Sequence, residues 1–316
     1  MRVIFTKVNL IRSHFIGKYL RIIALALYRL KYVQLNLSLL KMNTQKIGFI
    51  GGGNMASSLI SGLIASGHSA QHIWVSDINS EALKNLANSL NVNTTTDNDE
   101  IINAVDVVVL AVKPQILKEV AEKAAPIIQQ NKSLVVSIAA GISQASLSQW
   151  LGTDIAIVRC MPNTPALVLT GATALHANPN VSTTEHDLAE SIMRSVGIAL
   201  WVEEESELDA VTAVSGSGPA YYFLLMEAME KTALELGLTP NTARLLVQQT
   251  ALGAAKIALE STESPEELRK RVTSPGGTTQ KAIETFVAGG FTELVSKALH
   301  AARDRSIEMS KPAEKN

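Results

Sequence analysis

The run Ile47-Gly48-Phe49-Ile50-Gly51-Gly52-Gly53-Asn54-Met55-Ala56 sets glycine and alanine in the spacing G-x-G-x-x-A, after an apolar β-type run and at the head of a helical one. That context suits a pyrophosphate. Gly51 permits a tight turn, Gly53 lets phosphate approach the backbone, and Ala56 lets the helix pack close to the strand. The phosphates then sit at a helix N-terminus, where free N–H groups and the helix dipole favour negative charge. Asp77 follows the next strand-like run, 24 residues beyond Gly53. A carboxylate there accepts hydrogen bonds from ribose hydroxyls and repels a 2′-phosphate, which leans towards NADH; a helix cap ahead of Ser80 reads equally well. Lys113, in Ala111-Val112-Lys113-Pro114 at the end of a further strand-like run, could approach a phosphate or ribose, or be a solvated loop lysine.

A second loop, Val272-Thr273-Ser274-Pro275-Gly276-Gly277-Thr278-Thr279-Gln280-Lys281-Ala282, also runs into a helix. Its backbone N–H groups could hold an anion such as a carboxylate, and Ser274 and Thr279 add hydroxyls that donate and accept. An ordinary capped helix start fits the same residues. Asn163 and Thr164, between Pro162 and Pro165, either line a nicotinamide pocket or form a structural turn. None of the six histidines falls in a motif, and Cys160 reads as a buried inert thiol without a basic partner in sequence reach. With one cysteine there is no internal disulfide framework and no multi-cysteine zinc site; no metal is expected.

The elements that must position these residues alternate between short apolar runs and helical segments, the rhythm of an α/β doubly wound parallel sheet. Strands are predicted at Ile47–Gly51, Ile73–Ser76, Asp106–Ala111, Ser133–Ile138 and Ile155–Arg159, with helices at Met55–Ser66, Ser80–Leu90, Gln115–Gln130 and Gln144–Leu151. Two more strands, Ala172–His176 and Gly197–Glu203, flank a helix that begins near Thr184. After Glu205 no strand pattern recurs, and the chain reads as helices broken at Gly237–Pro240, Ser261–Pro265 and Ser274–Gly277. The stretch from Leu208 to Leu236 is apolar on all sides, so it needs burial, and a second subunit is the natural cover.

Of 316 residues, 47% are hydrophobic and 18% charged, as in a globular protein with room for two domains. Aromatics at 4% argue against a stacking platform for single-stranded nucleic acid. Residues 1–41 hold eight basic and no acidic side chains; without them 20 basic face 29 acidic residues, a net −9 that has no reason to seek nucleic acid. The longest uncharged run in the centre of that leader, Ile22 to Tyr28, is far shorter than the ~20 residues of a membrane span. A membrane-surface helix and a targeting peptide compete with an upstream extension of a chain that starts at Met42, and the last is the expectation adopted.

Five segments now stand together: Gly48 to Gly51 with Gly53 to Met55, Ala111 to Pro114, Arg159 to Pro165, Val214 to Tyr221, and Ser274 to Thr279. In order and spacing over about 275 residues they resemble the pyrroline-5-carboxylate reductases, and the last is the most specific. The resemblance implies a Rossmann-type dinucleotide-binding domain over 42–205 and an all-helical dimerisation and substrate-binding domain over 206–316, with dimers often assembled into rings. It implies a cytoplasmic enzyme of proline biosynthesis that reduces (S)-1-pyrroline-5-carboxylate to L-proline with NADPH or NADH, with no nucleic-acid or membrane partner. Cofactor positions carried over are Ile50, Gly51, Gly52, Gly53, Asn54, Met55, Asn98, Ala111, Val112, Lys113, Pro114, Ile138, Ala139 and Ala140. Substrate positions carried over are Ser274, Gly276, Gly277, Thr278 through its backbone, and Thr279, whose hydroxyl the family places near the ring nitrogen as the catalytic group. Asp77 departs from the family, many of whose members carry serine or asparagine there, and the leader has no counterpart.

A cyclic imine is basic enough to be partly protonated in water, so orientation rather than a strong acid can carry much of the catalysis. The β-hydroxyacid dehydrogenases, a competing enzyme class, use a lysine on a helix of the second domain. Here the helix beginning Pro219-Ala220-Tyr221-Tyr222-Phe223 has none before Lys231. A non-catalytic nucleotide sensor would let the Ser274 to Thr279 loop decay, and it is intact.

Overall fold

The computed structural model describes residues 45–310. The basic leader and the expected start at Met42 fall outside them. One eight-stranded sheet runs in the order β3-β2-β1-β4-β5-β6-β7-β8, with β1 Ile47–Ile50, β2 Ile73–Ser76, β3 Asn93–Thr95, β4 Val107–Leu110, β5 Leu134–Ser137, β6 Ile157–Met161, β7 Gly171–Ala177 and β8 Gly197–Trp201. β1 to β6 are parallel, the Rossmann order with its topological switch between β1 and β4.

Successive strand residues feed opposite layers. Ile47, Phe49, Val107, Val109 and Val136 pack under α1 (Asn54–Ala65), α2 (Ser80–Leu90) and α6 (Thr183–Arg194). Ile50, Val108, Leu110 and Val135 pack under α3 (Asn98–Ala104), α4 (Pro114–Asn131) and α5 (Gln144–Leu151). A strand covered on both faces needs no polar alternation, which is why these runs read as continuously apolar.

β3 and α3 were not expected. Asn93–Thr95 is a three-residue polar edge strand, and α3 has seven residues capped by the Asp97 carboxylate. β6 begins two residues later than expected, because the Asn178 side chain donates to the Ile155 carbonyl at 2.8 Å and accepts the Ile157 N–H at 3.1 Å, holding the entry out of the ladder. β7 and β8 extend the sheet as expected, but β7 runs antiparallel to β6.

The helical half is α7 (Glu207–Val211), a π-helical turn (Thr212–Gly216), α8 (Gly218–Glu235), α9 (Pro240–Glu260), α10 (Pro265–Arg271), α11 (Thr278–Ala288) and α12 (Phe291–Ser310). The uninterrupted helix expected from Leu208 to Leu236 is therefore broken near Ser217, where Pro219 cannot donate to the preceding turn and a new helix starts. In one chain Tyr222, Phe223, Leu224, Leu246, Leu252 and Ile257 are each more than half exposed. Apolar surface on that scale calls for a second copy. No helix among the described residues is long and apolar enough to cross a membrane.

Polar bonds brace the chain on each side of the boundary between the halves. Arg159 on β6 donates through Nη1 to the Glu205 carboxylate, which also accepts the Gln144 N–H at 2.6 Å; Ser306 on α12 donates to Asp209 on α7 at 2.6 Å. Glu205→Ala would leave Arg159, 9% exposed, without its anion, so unfolding free energy is expected to fall by about 2–3 kcal/mol. Urea unfolding followed by circular dichroism reads this, and an unchanged midpoint would show that the link carries no stability.

Candidate active site

The glycine-rich loop is pinned on both sides. Gly51 donates to the Ser76 carbonyl of β2 at 2.8 Å, and Ala111 donates to the Ile50 carbonyl at 2.9 Å. Gly51 has φ +104°, and a Cβ there would lie 2.7 Å from the Ala111 carbonyl oxygen. A Cβ at Gly53 would meet nothing within 4 Å. Open space over an exposed glycine at a helix start is room for a phosphate. α1 begins at Gly53 with no side-chain cap, and α4 begins at Lys113 likewise, with Pro114 in its first turn. Side-chain caps close α2, α3, α5, α6, α9 and α10, from Asn79, Asp97, Ser143, Ser182, Thr239 and Ser264, while α7 and α8 also start without one.

The remaining cofactor positions gather at the same carboxyl ends of the strands. Asp77 directly follows β2, and its Oδ2 accepts the Gly52 N–H at 2.8 Å while Oδ1 accepts the Asn79 N–H at 2.9 Å. The helix cap ahead of Ser80 is Asn79, so Asp77 does not have that role. Asn98 accepts from Ser76 Oγ at 2.6 Å, which links α3 to the end of β2. Ala111 to Lys113 lie between β4 and α4, with Lys113 exposed and Pro114 opening α4, and Ile138, Ala139 and Ala140 follow β5. A Cβ at the next residue, Gly141, would sit 2.9 Å from Met309 Cβ, so the end of α12 rests on this loop.

Asn163 resolves towards the structural reading: its amide donates to the Ser215 carbonyl at 3.1 Å and its Oδ1 accepts the Ala172 N–H at 2.9 Å. It ties the turn after β6 to the π-helical turn, while Thr164 is exposed. Cys160 is 3% exposed, and burial pushes its thiol far above the ordinary range, as an inert thiol requires. Among the described residues no cluster of three or more His, Cys, Asp or Glu could hold a metal.

The second loop lies wholly in the helical half. Gly277 donates to the Ser274 carbonyl at 3.0 Å, Gly276 has φ +72° and donates to Gln280 Oε1 at 2.6 Å, and α11 starts at Gly277 without a side-chain cap. The alternative of an ordinary capped helix start is not what forms: the first-turn N–H groups have no side-chain acceptor. Ser274 and Thr278 are exposed and Thr279 is half-buried. No hydrogen bond among the described residues links this loop to the strand ends, and α11 packs chiefly on α12.

Residues 205–309 match the family model for pyrroline-5-carboxylate reductase dimerisation, and residues 46–141 match one described as NADP oxidoreductase, coenzyme F420-dependent. The pyrroline-5-carboxylate reductase of Pseudomonas aeruginosa is 52% identical over 269 residues, 85% of this chain and 98% of that one. The solved pyrroline-5-carboxylate reductase of Coxiella burnetii superposes with a TM-score of 0.81 at 48% identity, over 85% of this chain and all of that one. The pyrroline carboxylate reductase of Plasmodium falciparum, solved with NADP bound, gives a TM-score of 0.77 at 29% identity over 85% and 99% of the two chains. By its dimerisation domain, its two glycine-led loops and its identity to these enzymes over nearly their whole length, the chain belongs to the pyrroline-5-carboxylate reductase family.

Proposed function

We propose that this chain reduces (S)-1-pyrroline-5-carboxylate to L-proline with a nicotinamide cofactor, NADH or NADPH, as the last step of proline biosynthesis. What carries the reading is the pair of uncapped, glycine-led helix starts, one over the Rossmann strand ends and one in the helical domain. Residues 42–205 form the cofactor domain and 206–316 the dimerisation and substrate domain. When bound, the nicotinamide supplies the hydride, and the open space over Gly53 fits its pyrophosphate. Ile50 to Met55, Asp77, Asn98, Ala111 to Pro114 and Ile138 to Ala140 hold it.

At the second start, the free N–H of Thr278 and the hydroxyl of Ser274 hold the substrate carboxylate, joined by the N–H groups of Gly276 and Gly277 as they exchange Gln280 Oε1 and the Ser274 carbonyl for it, and the α11 N-terminus favours its charge. Thr279, in the first turn of α11, orients the ring nitrogen and handles its proton. With the carboxylate pinned, the imine carbon has one face to present, and the entropy of orientation is lost on binding rather than in the transition state.

Hydride transfer needs reacting atoms about 3–3.5 Å apart, so loop and cleft must meet in the assembled enzyme. Dimerisation through the exposed faces of α8 and α9 is the step we hold responsible, with dimers joined into rings in the cytoplasm. The test is a substrate that lacks the anchor: 1-pyrroline, without the carboxylate, is expected to show kcat/KM reduced by roughly 100-fold or more, the scale of two or three charge-assisted hydrogen bonds. Equal rates on the two imines would remove the second loop from the mechanism.

A further inference from the structure

The end of β2 carries a charge pattern that the reductase reading leaves undecided. After accepting from Gly52 and Asn79, each Asp77 oxygen keeps a lone pair, enough together for the two adjacent hydroxyls of an adenosine ribose. The same bonds fix the carboxylate against the glycine-rich loop, so it cannot swing away from a ligand lying there.

A 2′-phosphate would meet the opposite of what it needs. The N–H groups of Glu81 and Ala82, which could otherwise donate to it at the start of α2, are already taken by Asn79 Oδ1, both at 3.1 Å. No basic residue occurs from Asp77 to Leu83, and the first, Lys84, lies a turn into α2 and is exposed. Glu81 adds a second negative charge to that turn, while Asp97, Asp99 and Glu100 surround Asn98 at the start of α3. Ile78, between Asp77 and the capping Asn79, is 96% exposed: an apolar side chain offered at the place where a phosphate would want a cation.

We infer that this chain selects NADH over NADPH, with Asp77 as the specificity-determining residue and Ile78 as the apolar surface beside the adenine. The inference rests on the reductase reading only for its rate measurement; binding tests it separately. The relative solved with NADP is 29% identical, and Asp77, Ile78 and Asn79 are this chain's own residues in the β2–α2 turn.

The experiment measures Kd for NADH and for NADPH by nicotinamide fluorescence, and kcat/KM for each with pyrroline-5-carboxylate, on the wild-type chain, Asp77→Ser and Ile78→Arg. A preference for NADH of about tenfold or more is expected in both readouts, from repulsion between a fixed carboxylate and a dianion. Asp77→Ser is expected to narrow or reverse it. Ile78→Arg, which leaves the Gly52 and Asn79 bonds in place, should tighten NADPH alone by about tenfold and covers the case in which Asp77→Ser misfolds. Tighter binding of NADPH by the wild type, or a ratio unmoved by Ile78→Arg, would overturn the inference. Binding in the expected ratio without turnover would leave it standing and count against the reductase reading instead.

Discussion

Gly51→Ala is expected to damage both stability and activity, whereas Gly53→Ala, two residues away, should damage activity alone. At Gly51 the new Cβ must sit on a backbone with φ +104° and 2.7 Å from the carbonyl oxygen of Ala111, a residue whose own N–H is held by the Ile50 carbonyl. A left-handed alanine costs about 1–2 kcal/mol and a forced contact in a packed site about 1–3, so unfolding free energy should fall by roughly 2–5 kcal/mol. The hydrogen bond from Gly51 to Ser76 at 2.8 Å would be displaced with it, and cofactor-limited kcat/KM should drop by about 100-fold. At Gly53 nothing lies within 4 Å, so thermal unfolding should not move. The methyl group there occupies only the space assigned to the pyrophosphate, and KM for the cofactor should rise by roughly tenfold or more. Thermal unfolding and cofactor saturation on the two variants together read this contrast. Equal loss of stability in both would mean that the open space at Gly53 is not ligand space.

Thr279→Ala is expected to lower kcat by about 100-fold, the low end of what a positioned proton donor contributes, with Thr279→Ser recovering most of it because the hydroxyl is restored. Ser274→Ala should act differently, raising KM for pyrroline-5-carboxylate by about 10- to 100-fold as one hydrogen bond to a carboxylate is lost. Neither should shift thermal unfolding, since Ser274 is exposed and no described side-chain hydrogen bond involves either hydroxyl. The split between kcat at Thr279 and KM at Ser274 separates a group at the reacting nitrogen from one at the anchor. If both variants changed KM alone, Thr279 would be a second carboxylate ligand.

The wound sheet was legible because most of its strands are apolar on both faces and several end in glycine or proline turns, and helices on both sides follow from that pattern, whereas the strand order comes from the structure. β3 was invisible because an edge strand of three polar residues has no hydrophobic run to display. The reversal of β7 did leave a trace: only nine residues separate Met161 from Gly171, too few for the dozen or more that a parallel crossover needs. The π-helical turn at Thr212–Gly216 had no signal, since its residues suit an α-helix equally.

At the site, spacing pointed to Gly51, Gly53 and Asp77 separately, but the bond between Asp77 and Gly52 joins residues 25 apart in the chain and comes from the sheet placing β2 beside β1. Arg159 and Glu205 are likewise 46 apart, and although Arg159 opens one of the five recognised segments, Glu205 lies outside all of them. Nothing local in the Ser274 to Thr279 segment shows that its helix goes uncapped; the contrast appears only once the six capped helices are seen beside it.

Turnover itself tests the reductase reading most directly. The full chain would be mixed with pyrroline-5-carboxylate and NADH or NADPH, cofactor oxidation followed by absorbance, and the product resolved by chiral chromatography. The expected result is one L-proline formed per cofactor oxidised, with no oxidation when the imine is replaced by a hydroxyacid's keto partner. A folded protein that binds either cofactor and forms no proline would contradict it.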